Sequence, residues 1–423
     1  TKAQGIMPTN ELGRHNIAIN QTVDFFDDKL TLNGSINYIN QTTDNRQGAG
    51  LYFNPLTGLY FFPRGLDFDN YKTNFEQYSD ARNINVQNWI ADRDIQQNPW
   101  WILNRNQNQN KRNRYITTVS ANYKIDSNWS VQARGNLDKS LDKFTHEIYA
   151  STQCTLSDNN VRYIYNNYDD TQTYGDLILT YSNRFGDNLT LDANVGASHT
   201  DSKIYGISAD SKNGDLAFAN QFGLQYIKNT TAAQDLRETL VRRKKNAVFA
   251  SAQVGLNDQL YFDVTARSDK SSALPNTSYF YPSLGVTAIL TEMMNLSSLD
   301  FAKVRASYAV VGNDVPSYVA NPKEERGNII NGQLQFSTEG PLPGTELVPE
   351  ESTSLEFGFE LRAVNNKLGF DFTYYKTNTK NQFINISAPA GSGFTRYLVN
   401  AGDVQNSGIE AVLSYDVVSS ENF

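Results

Sequence analysis

Residues suited to binding are concentrated in segment 41–113, which combines aromatic rings with many Asn and Gln side chains. Flat aromatic faces pack against apolar ring faces, and amide side chains both donate and accept hydrogen bonds. This mixture suits an oligosaccharide or a peptide. It equally suits packing of the segment against its neighbours or against a partner protein. The candidate ligand-binding residues are Tyr60, Trp89, Trp100 and Trp101.

Catalytic chemistry has little support. His15, His146 and His199 are the only histidines, and they form no metalloprotease motif. Nucleophile-elbow, phosphate-loop and dinucleotide-binding patterns do not occur either. Cys154 is the only cysteine, which excludes an internal disulfide framework and a Cys-rich zinc site. It has no basic neighbour in sequence that would favour a catalytic thiolate. We therefore expect a protein that is not an enzyme and that uses no metal or cofactor.

Charged residues alternate with apolar ones in several segments. In Leu260–Arg267, for example, Leu, Phe, Val and Ala take the even positions, while polar and charged residues take the odd ones. A charge that points into lipid at mid-membrane costs about 2–4 kcal/mol. One face of these segments therefore suits lipid, and the other suits a water-filled or plugged lumen. The charges predicted to face the lumen are Asp263, Arg267, Arg305, Glu356, Glu360 and Arg362.

The elements that hold these residues have the period of two that is typical of β-strands. About 13 such segments occur, mostly in pairs joined by short turns such as Asp27–Lys29 and Asn365–Asn366. The Asn-rich run Asn104–Asn113 is interpreted as solvated loop. Short turns at one end and long loops at the other are typical of an outer-membrane barrel. The predicted connections between pairs are 41–113, 139–172, 200–246, 270–278, 313–351 and 379–407, of which only 270–278 is short, and 291–300 is a longer link within a pair.

Composition agrees with an all-β membrane protein. Aromatic residues make up 12% and charged residues 19% of the chain, and 37 basic residues against 45 acidic ones give a net charge of −8. Disordered chains have few aromatics, and a nucleic-acid-binding surface requires a basic patch. We predict a transmembrane antiparallel β-barrel with short periplasmic turns and long extracellular loops. A large soluble β-sandwich is the alternative, and it predicts Greek-key connections.

Two further expectations concern the ends of the strands. Aromatic residues near the turns suit a girdle at the membrane interface. The odd strand count and the final turn at 419–423 suggest an incomplete barrel, since single-chain bacterial barrels have even numbers of strands. The predicted girdle residues are Phe25, Tyr123, Trp129, Phe185 and Tyr261.

Five motifs, in family order, resemble SusC/RagA-like TonB-dependent outer-membrane transporters. Each motif alone is weak, but together they cover most of residues 1–423. They are Asn98–Leu103 followed by Asn110–Arg114, Arg267–Pro275 followed by Tyr279–Ser283, Val304–Asn313, Leu347–Glu350 with Ser354–Gly358, and Asn400–Gly402 with Asn406–Glu410.

The resemblance implies part of a 22-stranded barrel in the outer membrane of a Bacteroidota-like bacterium. It also implies a plug domain and a TonB box, neither of which is visible in 1–423, and energy supplied by TonB–ExbB–ExbD. A SusD-like lipoprotein would cover the barrel as a lid. The lumen charges would then anchor the plug, or they would pair across strands and stabilise the wall.

The resemblance also bears on the cargo. It favours uptake of oligosaccharides over peptide import of the RagA type. A stand-alone siderophore or cobalamin transporter is a further alternative. A surface adhesin or structural β-protein would be a different class of protein.

Overall fold

The computed structural model describes residues 1–46, 48, 50–51, 53–91, 96–152, 162–211, 216–228, 235–274, 278–294, 296, 298–330 and 333–417. Cys154 and the predicted final turn at 419–423 lie outside the described residues. Strands dominate the described part of the chain, as the composition predicts, and the few helices are short. No helix in these ranges is long and apolar enough to cross a membrane.

Twenty strands are present in the described ranges, and most of them form one large sheet. Their bounds are β1 Lys2–Gln4, β2 Glu11–Phe25, β3 Leu30–Asp44, β4 Glu76–Ser79, β5 Ile84–Gln87, β6 Asn106–Lys124, β7 Trp129–Ile148, β8 Arg162–Phe185, β9 Leu189–Asp210, β10 Asp235–Leu256, β11 Leu260–Ser271, β12 Ser278–Ile289, β13 Phe301–Asn313, β14 Lys323–Ile330, β15 Gln333–Pro341, β16 Glu350–Ala363, β17 Leu368–Lys380, β18 Phe383–Ser387, β19 Arg396–Asn400 and β20 Asp403–Tyr415.

The large sheet is an antiparallel meander of 14 strands in the order β1-β2-β3-β6-β7-β8-β9-β10-β11-β12-β13-β16-β17-β20. Thirteen of them are the segments predicted from the period of two, and the fourteenth, β1, has only three residues. Each strand pairs with the next strand along the sheet. The described strands therefore have the up-and-down order of a barrel wall and not the Greek-key order of the alternative β-sandwich.

The ends of the sheet differ as predicted. At one end, turns of a few residues join β2 to β3, β6 to β7, β8 to β9, β10 to β11 and β16 to β17. Asn and Asp tolerate the left-handed backbone region that such turns require, and Asn257, Asp258, Asn365 and Asn366 all have positive φ. The longer link between β12 and β13 contains a short helix, Leu290–Met294.

The strands extend further toward the long-loop end than the sequence pattern indicates. The interpretation of Asn104–Asn113 as solvated loop is wrong from Asn106 onward, because β6 begins there and pairs with both β3 and β7. The long connections are correspondingly shorter than predicted, for example 149–161 instead of 139–172. Toward the long-loop end both faces of a strand carry polar side chains, so backbone pairing continues where the hydrophobic alternation ends.

The sheet has an apolar face and a polar face. In β9 and β10, Leu, Val and Ala point to the apolar face over nine residues, 189–197 and 248–256. A tilted strand crosses a bilayer in about 9–11 residues. Phe25, Tyr123, Trp129 and Phe185 lie on the apolar face near the short turns, where a girdle is expected. The prediction that Tyr261 belongs to that girdle is wrong, because its partners Gly255 and Thr287 place it on the polar face.

Candidate ligand-binding loops and polar wall

The described residues of the first long loop, 45–105, form a folded unit. It contains helices α1 (Pro55–Tyr60), α2 (Phe68–Thr73) and α3 (Pro99–Arg105) and the β4–β5 hairpin. Asn98 begins α3 and is fully buried. Its side chain accepts the backbone N–H of Trp100 at 2.9 Å and donates to the carbonyl oxygens of Tyr71 at 3.0 Å and Asn88 at 2.8 Å. A single amide thereby joins three segments of the loop.

A charged contact fixes the far end of α3. The Arg105 guanidinium binds both carboxylate oxygens of Glu76, at 2.8 and 2.9 Å, and lies 5.3 Å from the ring centre of Tyr149. Burial, and then the nearby Glu147 carboxylate, raise the pKa of the Tyr149 phenol. The ring therefore stays neutral beside the guanidinium over a wide pH range.

The four predicted loop aromatics lie in different environments. Tyr60 is 82% exposed, whereas Trp101 is 1% exposed and donates its indole N–H to Thr152 Oγ1 at 2.9 Å. Trp89 is half-buried against the rings of Phe62 and Tyr71, each 5.4 Å away. Half-buried Trp100 lies under the Lys72 ammonium at 5.0 Å. Trp101 therefore holds the loop together, as the packing alternative anticipates, and Tyr60 is the aromatic that is most available to a ligand or partner.

Tyr60 is part of an exposed apolar tip at the end of α1. Leu59 is 42% exposed and Phe61 is 54% exposed. Gly58 packs so closely that an added Cβ would lie 2.0 Å from the carbonyl oxygen of Gln97. This close approach presses the helix onto the loop below and leaves Leu59 and Tyr60, at the end of the helix, and Phe61, just after it, facing solvent. We call Leu59, Tyr60 and Phe61 the loop tip.

All six predicted lumen charges lie on the polar face, and most are paired within the wall. Arg305 binds Asp371 on β17 at 3.2 Å and donates to Thr373 Oγ1 at 2.6 Å. Glu360 accepts from Lys303 on β13 at 2.8 Å and from Arg362 at 2.9 Å. The cross-strand pairing that we considered for these residues is therefore present.

The remaining members of the set differ in their contacts. Arg267 Nε binds Asp269 at 2.7 Å, and Asp263 accepts from Gln253 Nε2 at 2.7 Å. Glu356 is exposed on the polar face and makes no hydrogen bond or ion pair with any described residue. Glu356 is thus the member of the set that has neither a hydrogen bond nor an ion pair with any described residue.

A second charged region on the polar face was not indicated by the sequence pattern. Arg112 Nε binds Asp142 at 2.6 Å, and Arg114 Nε binds Asp138 at 2.8 Å, between β6 and β7. Asp170 on β8 lines the same cavity of about 270 Å³. It has no hydrogen bond or ion pair within the described part of the chain. Arg112 and Arg114 lie in the motif Asn110–Arg114, but only the register of three strands brings them together with these carboxylates.

Part of the polar face between β8 and β10 is held by neutral groups. Thr180 donates to Asn194 Oδ1 at 2.7 Å, and Asn194 Nδ2 donates to Ser251 at 3.3 Å. Asn136 Nδ2 binds Thr118 Oγ1 at 2.9 Å in the same manner between β6 and β7. Hydrogen bonds between side-chain amides and hydroxyls thereby link neighbouring strands at the level of the apolar band.

A meander with one apolar face, one polar face, short turns at one end and folded loops at the other is the wall of a membrane-spanning β-barrel. The sequence matches the family described as "TonB dependent receptor-like, beta-barrel" over residues 20–421, and the chain belongs to this outer-membrane family. It is a family of receptors and transporters.

Relatives from Formosa agariphila share this assignment. TonB-dependent receptor P26 is 23% identical in an alignment of 346 positions that covers 77% of this chain and 34% of the relative. TonB-dependent receptor P3 is 23% identical over 60% of this chain and 26% of the relative. The chain thus spans between a quarter and a third of the length of these relatives.

Solved structures show the same fold. The RagAB peptide transporter superposes with a TM-score of 0.78 at 15% identity, covering 98% of this chain and 45% of that one. The siderophore receptor PiuA from Acinetobacter baumannii gives a TM-score of 0.58 at 14% identity, covering 98% of this chain and 56% of that one. The fold expected from the SusC/RagA resemblance is confirmed.

Proposed function

We propose that this chain is the barrel wall of a TonB-dependent importer of oligosaccharides. The observation that supports this proposal best is the neutral part of the polar face. The amides and hydroxyls of Asn136, Asn194 and Ser251 can exchange hydrogen bonds with a hydroxyl-rich cargo without binding it by charge. In this proposal a plug and further strands belong to the full-length protein, and TonB–ExbB–ExbD supplies the energy.

A SusD-like lipoprotein lid is the second part of the proposal. The fold is more similar to the RagAB peptide transporter than to the siderophore receptor PiuA, which favours the SusC/RagA branch over a stand-alone siderophore or cobalamin transporter. The exposed loop tip offers an apolar contact at the end of the barrel where a lid would lie. Family membership also argues against a surface adhesin.

Native mass spectrometry of the complex, gently extracted from outer membranes, tests both parts. We expect a co-purifying lipoprotein and a bound neutral oligosaccharide. The double variant Leu59→Ser, Phe61→Ser should reduce the lipoprotein recovered, whereas Phe218→Ser, at an equally exposed aromatic of another loop, should not. Recovery of the barrel alone would contradict the lid and favour a stand-alone transporter.

Peptide import is the second candidate, and Asp170 is the observation that favours it. An unpaired carboxylate beside two arginine–aspartate pairs suits the ammonium group of a peptide. Uptake of a labelled lysine-containing peptide should then fall in Asp170→Asn, and Asp192→Asn, another polar-face carboxylate, should have little effect. Uptake of neutral oligosaccharide that is unchanged by Asp170→Asn would support the first candidate.

The lumen charges have a proposed role in holding the plug. Glu356 is the member with a free carboxylate, so Glu356→Gln should weaken plug retention more than Arg267→Ala, which removes a residue that already has a partner. Unchanged plug retention in both variants, with the barrel intact, would leave these charges with a role in the wall alone.

A further inference from the structure

The apolar face is not uniformly filled. A groove crosses β8–β11, because alanines occupy positions where neighbouring strands carry larger side chains. The part of the groove nearer the short turns is a cavity of about 440 Å³. It lies between Trp129 and Tyr181 on one side and Val264 on the other, and Ala250 and Ala266 are among its lining residues. A second cavity of about 580 Å³ continues toward the long-loop end.

The strand register gives the groove its direction. Ala266, Ala250 and Val195 face one another across β11, β10 and β9, and Ser268, Val248 and Ala197 form the next row. The row above contains Lys270, Asn246 and His199. Rows on one face are spaced about 7 Å apart along a strand. The groove therefore runs along the strands and ends where the apolar band gives way to polar residues.

That end of the groove is cationic. Lys270 is exposed and has no ion pair among the residues described. His199 lies in the same row on the other side of Asn246 and is held by it, with 2.6 Å between Nδ1 and Oδ1. The next two rows on the same face add Lys244, and then Arg242 opposite Lys203.

One carboxylate lies among these cations. Asp201 binds Arg242 at 3.0 Å through Nε and lies 4.0 Å from Lys244 Nζ. Four cations surround Asp201, and Asp169 at the edge of the cluster already pairs with Lys139, so a positive excess remains. It lies just beyond the apolar band, at the level of lipid headgroups.

We propose that this groove binds an acidic membrane lipid. Its acyl chain lies along Ala250 and Ala266, and its phosphate lies between Lys270 and Lys244. The groove opens on the membrane side of the wall, where acyl chains are the surrounding medium, and the positive charge at its end complements a phosphate. Each Lys or Arg near a membrane surface contributes about 1 kcal/mol to binding of acidic lipid. The site is separate from the polar face on which the proposed import depends.

Lipid retention by the full-length protein tests the proposal. The protein is extracted from nanodiscs that contain equal amounts of phosphatidylglycerol and phosphatidylcholine, and the lipids that remain bound are counted by native mass spectrometry. We expect phosphatidylglycerol to be retained preferentially. Lys244→Ala with Lys270→Ala should reduce this preference by about fivefold for each cation removed.

Two further variants separate the parts of the site. Ala250→Leu with Ala266→Leu should reduce retention of both lipids, because the chain site is filled, and heat-modifiable gel migration shows whether the barrel has folded. Lys111→Ala with Lys143→Ala is the matched control, since these two lysines face each other on the same face across β6 and β7. This control should leave the retention of both lipids unchanged.

Three results would overturn the proposal. The first is equal retention of the two lipids by the unchanged protein. The second is an equal loss in the matched control. The third is full displacement of lipid by inorganic phosphate alone, which would indicate a simple anion site without a place for the acyl chain.

Discussion

The polar face is built in two different ways. Where β6–β7 and β8–β10 cross the apolar band, neutral side chains bind one another, as in the row Thr180–Asn194–Ser251, and beside them Arg134 pairs with Asp176 between β7 and β8. From β13 to β17, charges pair across strands, as Arg305 does with Asp371 and Lys303 with Glu360. We call these regions the amide wall and the ion-pair wall. Both satisfy polar groups on the inside of a barrel, but only the amide wall keeps groups that readily exchange partners.

The difference shows how one barrel wall can be stable and still offer contacts to a cargo that passes through it. A charged pair opposes loss of either partner, because the other charge is then left without compensation. A neutral hydrogen bond contributes only about 1 kcal/mol and is readily exchanged for one to water or a ligand. We therefore expect the ion-pair wall to stabilise the barrel and the amide wall to offer transient contacts to cargo.

The largest effect is expected at Glu360. Glu360→Gln leaves Lys303 and Arg362 facing each other without the carboxylate that binds both. We expect a loss of about 2 kcal/mol in the free energy of unfolding, as for other hydrogen bonds to charged groups, measured by urea titration of the full-length protein in lipid vesicles. Glu356→Gln on the same strand is the control, since Glu356 has no partner among the described residues. Equal losses in the two variants would contradict the ion-pair wall.

A smaller effect is expected at Gly358. A Cβ added there would lie 2.7 Å from Arg305 Nε, so Gly358→Ala moves the guanidinium away from Asp371. We expect a loss of about 1 kcal/mol, the usual contribution of one hydrogen-bonded contact. Gly285→Ala is a matched control on the same face, because its added Cβ would lie 3.4 Å from Asp263 Cβ, in ordinary contact. A loss in Gly285→Ala as large as that in Gly358→Ala would indicate general crowding of the wall.

The strands and their faces are predictable from the sequence, but the pairs of the ion-pair wall are not. One face of every membrane-spanning strand contacts lipid, so apolar and polar residues alternate along it. The 13 long strands and their short turns therefore follow from the period of two. The same alternation separates charged from apolar positions, and it identified Arg305 and Glu360 correctly as polar-face residues. Their partners Asp371 and Lys303 lie on other strands, and only the register defines those pairs.

Above the membrane the sequence is less informative. Arg112 and Arg114 lie in a run rich in Asn and Gln that has no apolar alternation, yet both pair with carboxylates on β7. The burial of Trp101 depends on Thr152, which is 51 residues away in the chain. Such contacts arise from long-range packing, so residue types within a loop do not indicate which aromatic stays exposed.

A weaker effect is expected in the amide wall. Asn194→Ala removes the partner of both Thr180 and Ser251, but the two hydroxyls can bind water that fills the barrel. We expect a loss of about 0.5–1 kcal/mol, smaller than that in Glu360→Gln and measured in the same titration. Val195→Ala, next to it on the apolar face, serves as a reference for lost lipid contact. A loss in Asn194→Ala larger than that in Glu360→Gln would reverse the proposed roles of the two walls.

The smallest expected effect is the change of these losses in unfolding free energy with salt concentration. It distinguishes ion pairs from neutral hydrogen bonds. Raising the salt concentration from about 0.1 M to about 1 M shortens the Debye length from about 10 Å to about 3 Å. The pair partners Lys303 and Glu360 are 27% and 18% exposed, so ions in the barrel screen them only in part. The loss in Glu360→Gln should therefore shrink by a few tenths of a kcal/mol, in line with the small energies of exposed pairs. The loss in Asn194→Ala should stay constant, because no charge is involved, and a salt-dependent loss there would show that charges outside the amide wall act on it.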